Sequence, residues 1–387
     1  MPKNKNIHNL TISASSHSSE ASGIDGQFIP LPNTHVKIQQ NTNSPLIQKK
    51  GTLWIESEIE IYQLIASNPK SAQKAILQPI STEKNYFEST LYLTLMRGGS
   101  LKSHQTYLFN QLNIKKINNP ASSWLMQQLL SLLDTLYHLH TATFGLAQHK
   151  GIIHGDIKPD NILINKLGNC VLADFDCAYQ ANKSAHRFGS LAYTAPELFS
   201  NENFMNEPME NIDKSDIWSL GITLYRLLNN KFPDFFNAYK AAVKKNTKLP
   251  NFFQAKPSNT TDNEMQPETI DLEDNINSFI FLKERGGDYP LSPMAKQAKE
   301  SLEILQNHKE NNEAHRTPLD ILRLSSIAML SSIEDRPNAE ELLTLLQAWQ
   351  KHFCPSEENE YQQFISELLT HPSLNRETGD NKHLTPL

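Results

Sequence analysis

Residues 152–176 constrain this chain more than any other stretch. The apolar pair Ile152-Ile153 leads into a polar loop, His154 to Asn161. Ile162-Leu163-Ile164 reads as a short strand and Asn165-Lys166-Leu167-Gly168-Asn169 as a turn. Cys170-Val171-Leu172-Ala173 reads as the return strand, ending at Asp174. Such a hairpin, with a polar loop at each open end, brings Asp156, Asn161 and Asp174 to one edge. Those residue types suit phosphoryl transfer. Asn161 supplies an amide oxygen and Asp174 a carboxylate, the hard oxygen ligands that Mg²⁺ prefers. Asp156 is a second carboxylate, placed to accept a proton from an incoming hydroxyl. Lys158, two residues on, projects to the same side and can hold a transferring phosphoryl group. A plain solvated loop also carries Asp, Asn and Lys, but not in this ordered set.

His154-Gly155-Asp156-Ile157-Lys158-Pro159-Asp160-Asn161 resembles the catalytic loop of the eukaryotic-type Ser/Thr protein kinases, and Asp174-Phe175-Asp176 resembles their Asp-Phe-Gly metal motif. The resemblance implies Asp156 as catalytic base, Lys158 at the γ-phosphate, and Asn161 and Asp174 as ligands of Mg²⁺ beside ATP. It also implies that His154 and Phe175 stack behind the site. Gly189-Ser190-Leu191-Ala192-Tyr193-Thr194-Ala195-Pro196-Glu197 is similar to the end of the family's activation segment. Ser190 stands where a hydroxyl bridges the catalytic Asp and Lys, which implies Ser or Thr as acceptor. Asp335-Arg336-Pro337 resembles a motif near the family's C-terminal end. It implies an ion pair between Arg336 and Glu197; Lys214 to Gly221 resembles the family's central helix, which implies that Asp216 holds the catalytic-loop backbone.

Two departures sit beside the site. Gly155 replaces an arginine that pairs with an activation-loop phosphate, which implies activity independent of that phosphorylation. Asp176 replaces a glycine that eases backbone rotation.

The first part of the chain carries a weaker pattern. Gln27 to Leu31, Thr34 to Gln39 and Leu46 to Lys50 read as strands, with Asn41-Thr42-Asn43-Ser44 as a turn. Leu53 to Ala66 reads as a helix. The family's phosphate-gripping lysine and its glutamate partner are then Lys49 and Glu58, with Lys37 as the alternative lysine. Ile47 would lie on the adenine. The spacing of Lys49 from Glu58 is shorter than the family's usual gap. A glycine-rich phosphate loop is absent: Gly23 and Gly26 are the nearest fragment, and Pro30-Leu31-Pro32-Asn33 occupies the place. Ala75 to Leu77 and Leu91 to Met96 read as further strands, with Leu93 at the back of the nucleotide pocket and Thr94 to Met96 offering backbone groups to adenine.

Downstream, residues 122–140 form an apolar-faced helix. His138 and His140 on it read as surface or satisfied core residues. Residues 213–228 form a second such helix, and Leu319 to Leu330 a third. These readings give an α+β, two-lobed, protein-kinase-like fold. A flexible Ser-rich arm spans 1–25, a small sheet lobe 26–96 and a helical lobe 97–352. An acidic insertion lies at about 251–300, and a polar tail at 353–387 holds one short helix near Phe364 to Leu369.

Composition narrows the remaining classes. A net charge of −6 gives no reason to expect a nucleic-acid partner. No apolar run is long enough to span a membrane. Cys170, Cys177 and Cys354 form neither a metal spacing nor an even framework, so a reducing cytoplasm is the expected compartment. The divergent first lobe also fits a bacterial origin, as a secreted effector acting in a host cytosol. The expected activity is ATP-dependent phosphorylation of Ser or Thr in a protein substrate. Two alternatives stay open: a pseudokinase scaffold that binds a partner protein, and a kinase for a small molecule.

Overall fold

The computed structural model describes residues 28–30, 36–39, 46–68, 70, 74–116, 118–144, 149–183, 189–195, 197–200, 211–233, 299, 317–350 and 357–371. The Ser-rich arm, the acidic stretch at 251–300 except Lys299, and the end of the tail lie outside them.

An N-terminal antiparallel sheet is followed by a mostly helical region, the protein kinase fold. Five strands form the sheet: β1 (Phe28–Pro30), β2 (Val36–Gln39), β3 (Leu46–Gly51), β4 (Pro79–Lys84) and β5 (Ser89–Thr94), in the order β1-β2-β3-β5-β4. β3 is central and pairs Lys49 with Val36 on one side and Leu91 on the other. Helix α1 (Leu53–Ser67) follows β3 with only Thr52 between them. Gly51 permits this tight entry, because a Cβ there would lie 3.0 Å from the Ile55 side chain. α1 turns Ile61, Tyr62 and Ile65 into the core.

Two strand expectations are corrected. Ala75 to Leu77 is not a strand of the sheet; Ile76 makes one isolated parallel bridge to Leu172, tying this segment to the catalytic hairpin. The true fourth strand, Pro79–Lys84, is a largely exposed edge. Its polar residues face water, so no apolar alternation marks it. β5 starts and stops two residues earlier than the expected Leu91 to Met96.

The helical lobe is built around α3 (Pro120–Thr141), which follows the short α2 (Gln105–Leu112). Asn119 caps α3 by accepting from the amides of Ala121 and Ser122, and Pro120 fits the first turn, where its missing N–H costs nothing. Trp124, Leu125, Leu129, Leu132, Leu133 and Leu136 are buried along one face. Trp124 Nε1 donates to the Gly168 carbonyl at 2.7 Å, so this helix grips the turn of the catalytic hairpin. That hairpin pairs β9 (Ile162–Ile164) with β10 (Cys170–Leu172), Ile162 opposite Leu172. Three short strands precede it, β6 (Thr143–Phe144), β7 (His149–Lys150) and β8 (Ile152–Ile153). β8 pairs with β11 (Tyr179–Gln180) beyond the hairpin.

After α4 (Glu197–Ser200) comes α5 (Lys214–Asn229), whose Ile217, Trp218, Leu220, Leu224, Leu227 and Leu228 are all buried. Asn230 ends it in the left-handed conformation, φ 52°, a stop that Asn tolerates well. α6 (Pro318–Ala328) opens with a reciprocal Thr317–Asp320 cap, and α7 (Ala339–Gln350) completes the lobe. The tail helix α8 (Glu358–Thr370) is longer than expected and no free appendage. Its Phe364 and Leu368 join the core, and Tyr361 donates to Gln127 of α3.

Candidate active site

The loop His154 to Asn161 folds around buried Asp216 of α5. Its carboxylate accepts from the His154 amide at 2.8 Å, the Gly155 amide at 3.0 Å and His140 Nε2 at 2.9 Å. Burial alone would raise this carboxyl's pKa; the His140 and His154 interactions outweigh it and hold the group below its ordinary value. His140 thus anchors Asp216 through Nε2, while its Nδ1 is buried without a hydrogen-bond partner. His154 donates from Nε2 to the Ala173 carbonyl, and its Nδ1 accepts from the Asp156 amide. The ring also packs against Phe175, centroids 4.6 Å apart and tilted by 51° rather than stacked face to face.

Asp156, only 6% exposed, sits at the centre of a hydrogen-bonded cluster. Its Oδ2 accepts from Lys158 Nζ at 2.9 Å and from Asn161 Nδ2 at 3.0 Å. Its Oδ1 accepts from the Ser190 amide at 2.6 Å. Lys158 Nζ also donates to Ser190 Oγ at 2.7 Å. Asp156, Lys158, Asn161 and Ser190 therefore form one network. Burial opposes the Lys158 ammonium, yet Asp156 overcomes it and the Lys158 pKa rises.

Gly155 has a backbone reason to be glycine. Its φ is +77°, and a Cβ there would meet the Cys177 carbonyl at 2.8 Å and the Tyr179 ring at 3.6 Å. The place of an arginine side chain is taken by the next segment's own backbone and ring.

The sheet contributes the facing side. Lys49 Nζ donates to both Glu58 oxygens at 2.9 Å and to Asp174 Oδ1 at 2.6 Å. The short sequence gap is bridged because α1 starts directly after β3 and places the buried Glu58 over it. Lys37 lies on β2 opposite Gln48 and is exposed. Burial raises the Glu58 carboxyl to about 6, against the pull of Lys49. For Lys49, burial works downward but the two carboxylates prevail, and its pKa is raised. Asp174, which burial would push up, is held low chiefly by Lys49. Asp174 adopts φ 65° although it is not glycine. Such a backbone costs of order 1–3 kcal/mol and persists only where the surroundings impose it. Here the Lys49 ion pair and the Glu58 oxygen that accepts from the Phe175 amide at 3.3 Å do so.

Thr94 ends β5 opposite Leu46, and Met96 accepts the Gly99 amide through its carbonyl. Leu93 is buried opposite Ile47. Thr94 and Met96 thus sit at the sheet's exit toward the helical lobe, apart from the charged cluster. The connection at 31–35, where glycines would be expected, lies outside the described residues. Gly23 and Gly26 precede β1.

The donor set fits a divalent cation that arrives with a phosphate ligand. Both hydrogen bonds of Asn161 Nδ2 go to Asp156, leaving the amide oxygen as the group to offer. One amide oxygen and one carboxylate are too few to hold a dication alone. Indeed, no cluster of three or more acidic, His or Cys side chains suited to a metal exists among the described residues.

Sequence reasoning missed Tyr62, whose ring lies 5.2 Å from that of Phe175 and extends the His154–Phe175 stack into α1. Its signal was there: Tyr62 falls one helical turn after Glu58, on the same face. The Arg336–Glu197 pair forms as expected, at 2.5 and 3.0 Å.

Among curated proteins, the chain is similar to the serine/threonine-protein kinase PEPKR2 of Arabidopsis thaliana, 29% identical over 52% of this chain and 37% of that protein. It is 36% identical to the serine/threonine-protein kinase CHK1 of Saccharomyces cerevisiae, over 30% of this chain and 21% of that one. CBL-interacting protein kinase 10 of Oryza sativa is 24% identical over 57% of this chain and 46% of its own length. The matches thus span less than half of each relative. These relatives come from plants and a yeast, and they lend no support to the bacterial origin suggested by the divergent first lobe. No helix among the described residues is long and apolar enough to cross a membrane. The protein kinase domain matches residues 41–382; the chain belongs to that family.

Proposed function

We propose that this protein transfers the γ-phosphoryl group of ATP to Ser or Thr hydroxyls of a protein substrate. One observation carries the reading: Lys49 ties Glu58 of the sheet lobe to Asp174 of the catalytic hairpin. That assembly closes the charged edge against the Asp156–Lys158–Asn161 cluster, so the groups of both lobes face one space.

In this reading Asp156 accepts the proton of the acceptor hydroxyl, and its bonds from Asn161 and the Ser190 amide fix the direction in which its carboxylate points. Lys158 stands between Asp156 and Ser190, where its charge can stabilise a transferring phosphoryl group. Lys49 orients the α- and β-phosphates, and Glu58 orients Lys49. Asn161 and Asp174 would hold Mg²⁺, which when bound neutralises phosphate charge. Thr94 and Met96 offer backbone groups to adenine. Ser or Thr as acceptor is supported by the Lys158–Ser190 bond and by the names of the distant relatives.

The pseudokinase reading is favoured by the chain between β1 and β2, which holds no glycine. In general, a Cβ hinders the close approach of a backbone amide to a phosphate. Labelled ATP with Mg²⁺ and a protein acceptor separates the two. Transfer to Ser or Thr that a chelator abolishes is the expected result. Nucleotide binding without any transfer across a broad set of protein acceptors would favour the scaffold. Label on a metabolite and none on protein would favour the small-molecule alternative.

A further inference from the structure

Arg226 lies in the last turn of α5, beside the segment that carries Ser190. Its Nη1 donates to the Tyr193 hydroxyl. Its guanidinium lies 4.1 Å from the centre of the Phe232 ring and 5.8 Å from that of Tyr193. Its Nε is buried without a hydrogen-bond partner. Lys49, Lys158 and Arg336 each meet a carboxylate. Among the described residues, none forms an ion pair with Arg226.

A cation at a helix C-terminus is favoured by the helix dipole. That explains a positive charge in the last turn. It does not explain a guanidinium packed beside two touching aromatic rings with a buried N–H left over. An unmade bond of that kind is costly in a finished core. It is readily understood if a ligand completes it. The planar fork of arginine matches a carboxylate or a phosphate with two parallel hydrogen bonds.

The position says which ligand. Tyr193 belongs to the turn Leu191–Tyr193, whose last amide donates to the Ser190 carbonyl at 2.9 Å. The Ser190 amide in turn rests on Asp156. One turn of chain and one tyrosine side chain therefore separate Arg226 from the proposed base. That path is roughly 10–15 Å, the length of about three to five residues of extended peptide.

We infer that Arg226 selects substrates with an anionic side chain, carboxylate or phosphate, about three to five residues from the acceptor hydroxyl. The substrate class is then acidic or already phosphorylated protein segments. This inference rests on the protein kinase reading above.

The test uses the full chain with ATP and Mg²⁺. The substrates are peptides with one acceptor Ser in neutral flanks. A single Glu, phosphothreonine or Lys is walked through about five positions on either side. The readout is the ratio of kcat/KM for the anionic peptide to that for the Lys peptide, taken within each variant so that a general loss of activity cancels. Wild type should favour the anionic peptide by about fivefold or more at one position in the window. Arg226→Lys should keep the sign of that preference, and Arg226→Glu should invert it. A preference for phosphothreonine well above Glu would identify the phosphorylated class; equal preference would identify the acidic one. Should Arg226→Glu not fold, raising salt on wild type must shrink the ratio. A flat ratio in wild type overturns the inference, as does a ratio that neither Arg226→Glu nor salt changes. No transfer to any peptide, neutral ones included, overturns the kinase reading beneath it, and the inference with it.

Discussion

Each lobe of this kinase domain holds a cation against buried acid, and the two arrangements differ in kind. Arg336 is fully buried and meets Glu197 with two parallel bonds. Its remaining donors reach the carbonyls of Ser331 and Lys214. No part of that guanidinium is left to do anything else. Lys49 is a point charge, 15% exposed, shared between Glu58 and Asp174. Its partners come from two lobes, and one of them is a proposed metal ligand. A saturated arginine fork locks a scaffold; a shared lysine leaves room for a phosphate to compete. The contrast separates the part of the molecule that must not move from the part where a nucleotide can exchange contacts.

Removing Arg336 should give the largest effect on the fold. Arg336→Met leaves Glu197 buried without its cation, which typically costs about 3–5 kcal/mol. Chemical denaturation should show that loss in full; a loss below about 1 kcal/mol would mean the pair is no lock.

Lys49→Met should cost less stability and more activity. The Glu58 carboxyl already stands at about 6. Without Lys49 it can take up a proton at pH 7, at an added cost of about 1–2 kcal/mol. Phosphoryl transfer should fall by about a hundredfold or more, because the phosphates lose their orienting charge. Equal stability losses in Lys49→Met and Arg336→Met would erase the distinction drawn between the two sites.

The smallest effect concerns pH. Glu58 has a folded pKa of about 6 against an ordinary 4.5. Below pH 6 it gains a proton and loses its charge pairing with Lys49, so kcat/KM should fall, at most about tenfold per pH unit. Stability runs the other way. A carboxyl raised on folding favours the fold below its unfolded value and loses that contribution as pH rises through about 6. Glu58→Gln should flatten the limb of the rate profile near pH 6. A limb that persists in that variant belongs to another group.

The same contrast governs what could be read in the sequence. The catalytic hairpin was legible because its parts are contiguous. His154 to Asp174 holds the loop, both strands and the metal motif, and a two-residue period fixes which groups share an edge. Glu197 and Arg336 were legible as motif residues despite their separation. The sheet lobe was harder. The exposed β4 carries no apolar alternation, so its strand was placed at Ala75 to Leu77 instead. Lys49 was preferred to Lys37 from the turn before it, but its short gap to Glu58 made sense only once α1 was seen to follow β3 directly. Tyr62 and Arg226 depend on what lies across a helix face from them, which spacing alone does not reveal. Gly155 read as a missing arginine; its positive φ shows a backbone that has no place for one.

The central claim is tested most directly by Asp156→Ala beside wild type, with labelled ATP, Mg²⁺ and a protein acceptor. Circular dichroism and nucleotide binding would be followed in parallel. The account predicts Ser or Thr phosphorylation by wild type. In the variant it predicts an intact fold, retained nucleotide binding and transfer reduced by about a thousandfold or more. Undiminished transfer by Asp156→Ala would contradict it, because the cluster built around that carboxylate would then not be where the chemistry occurs.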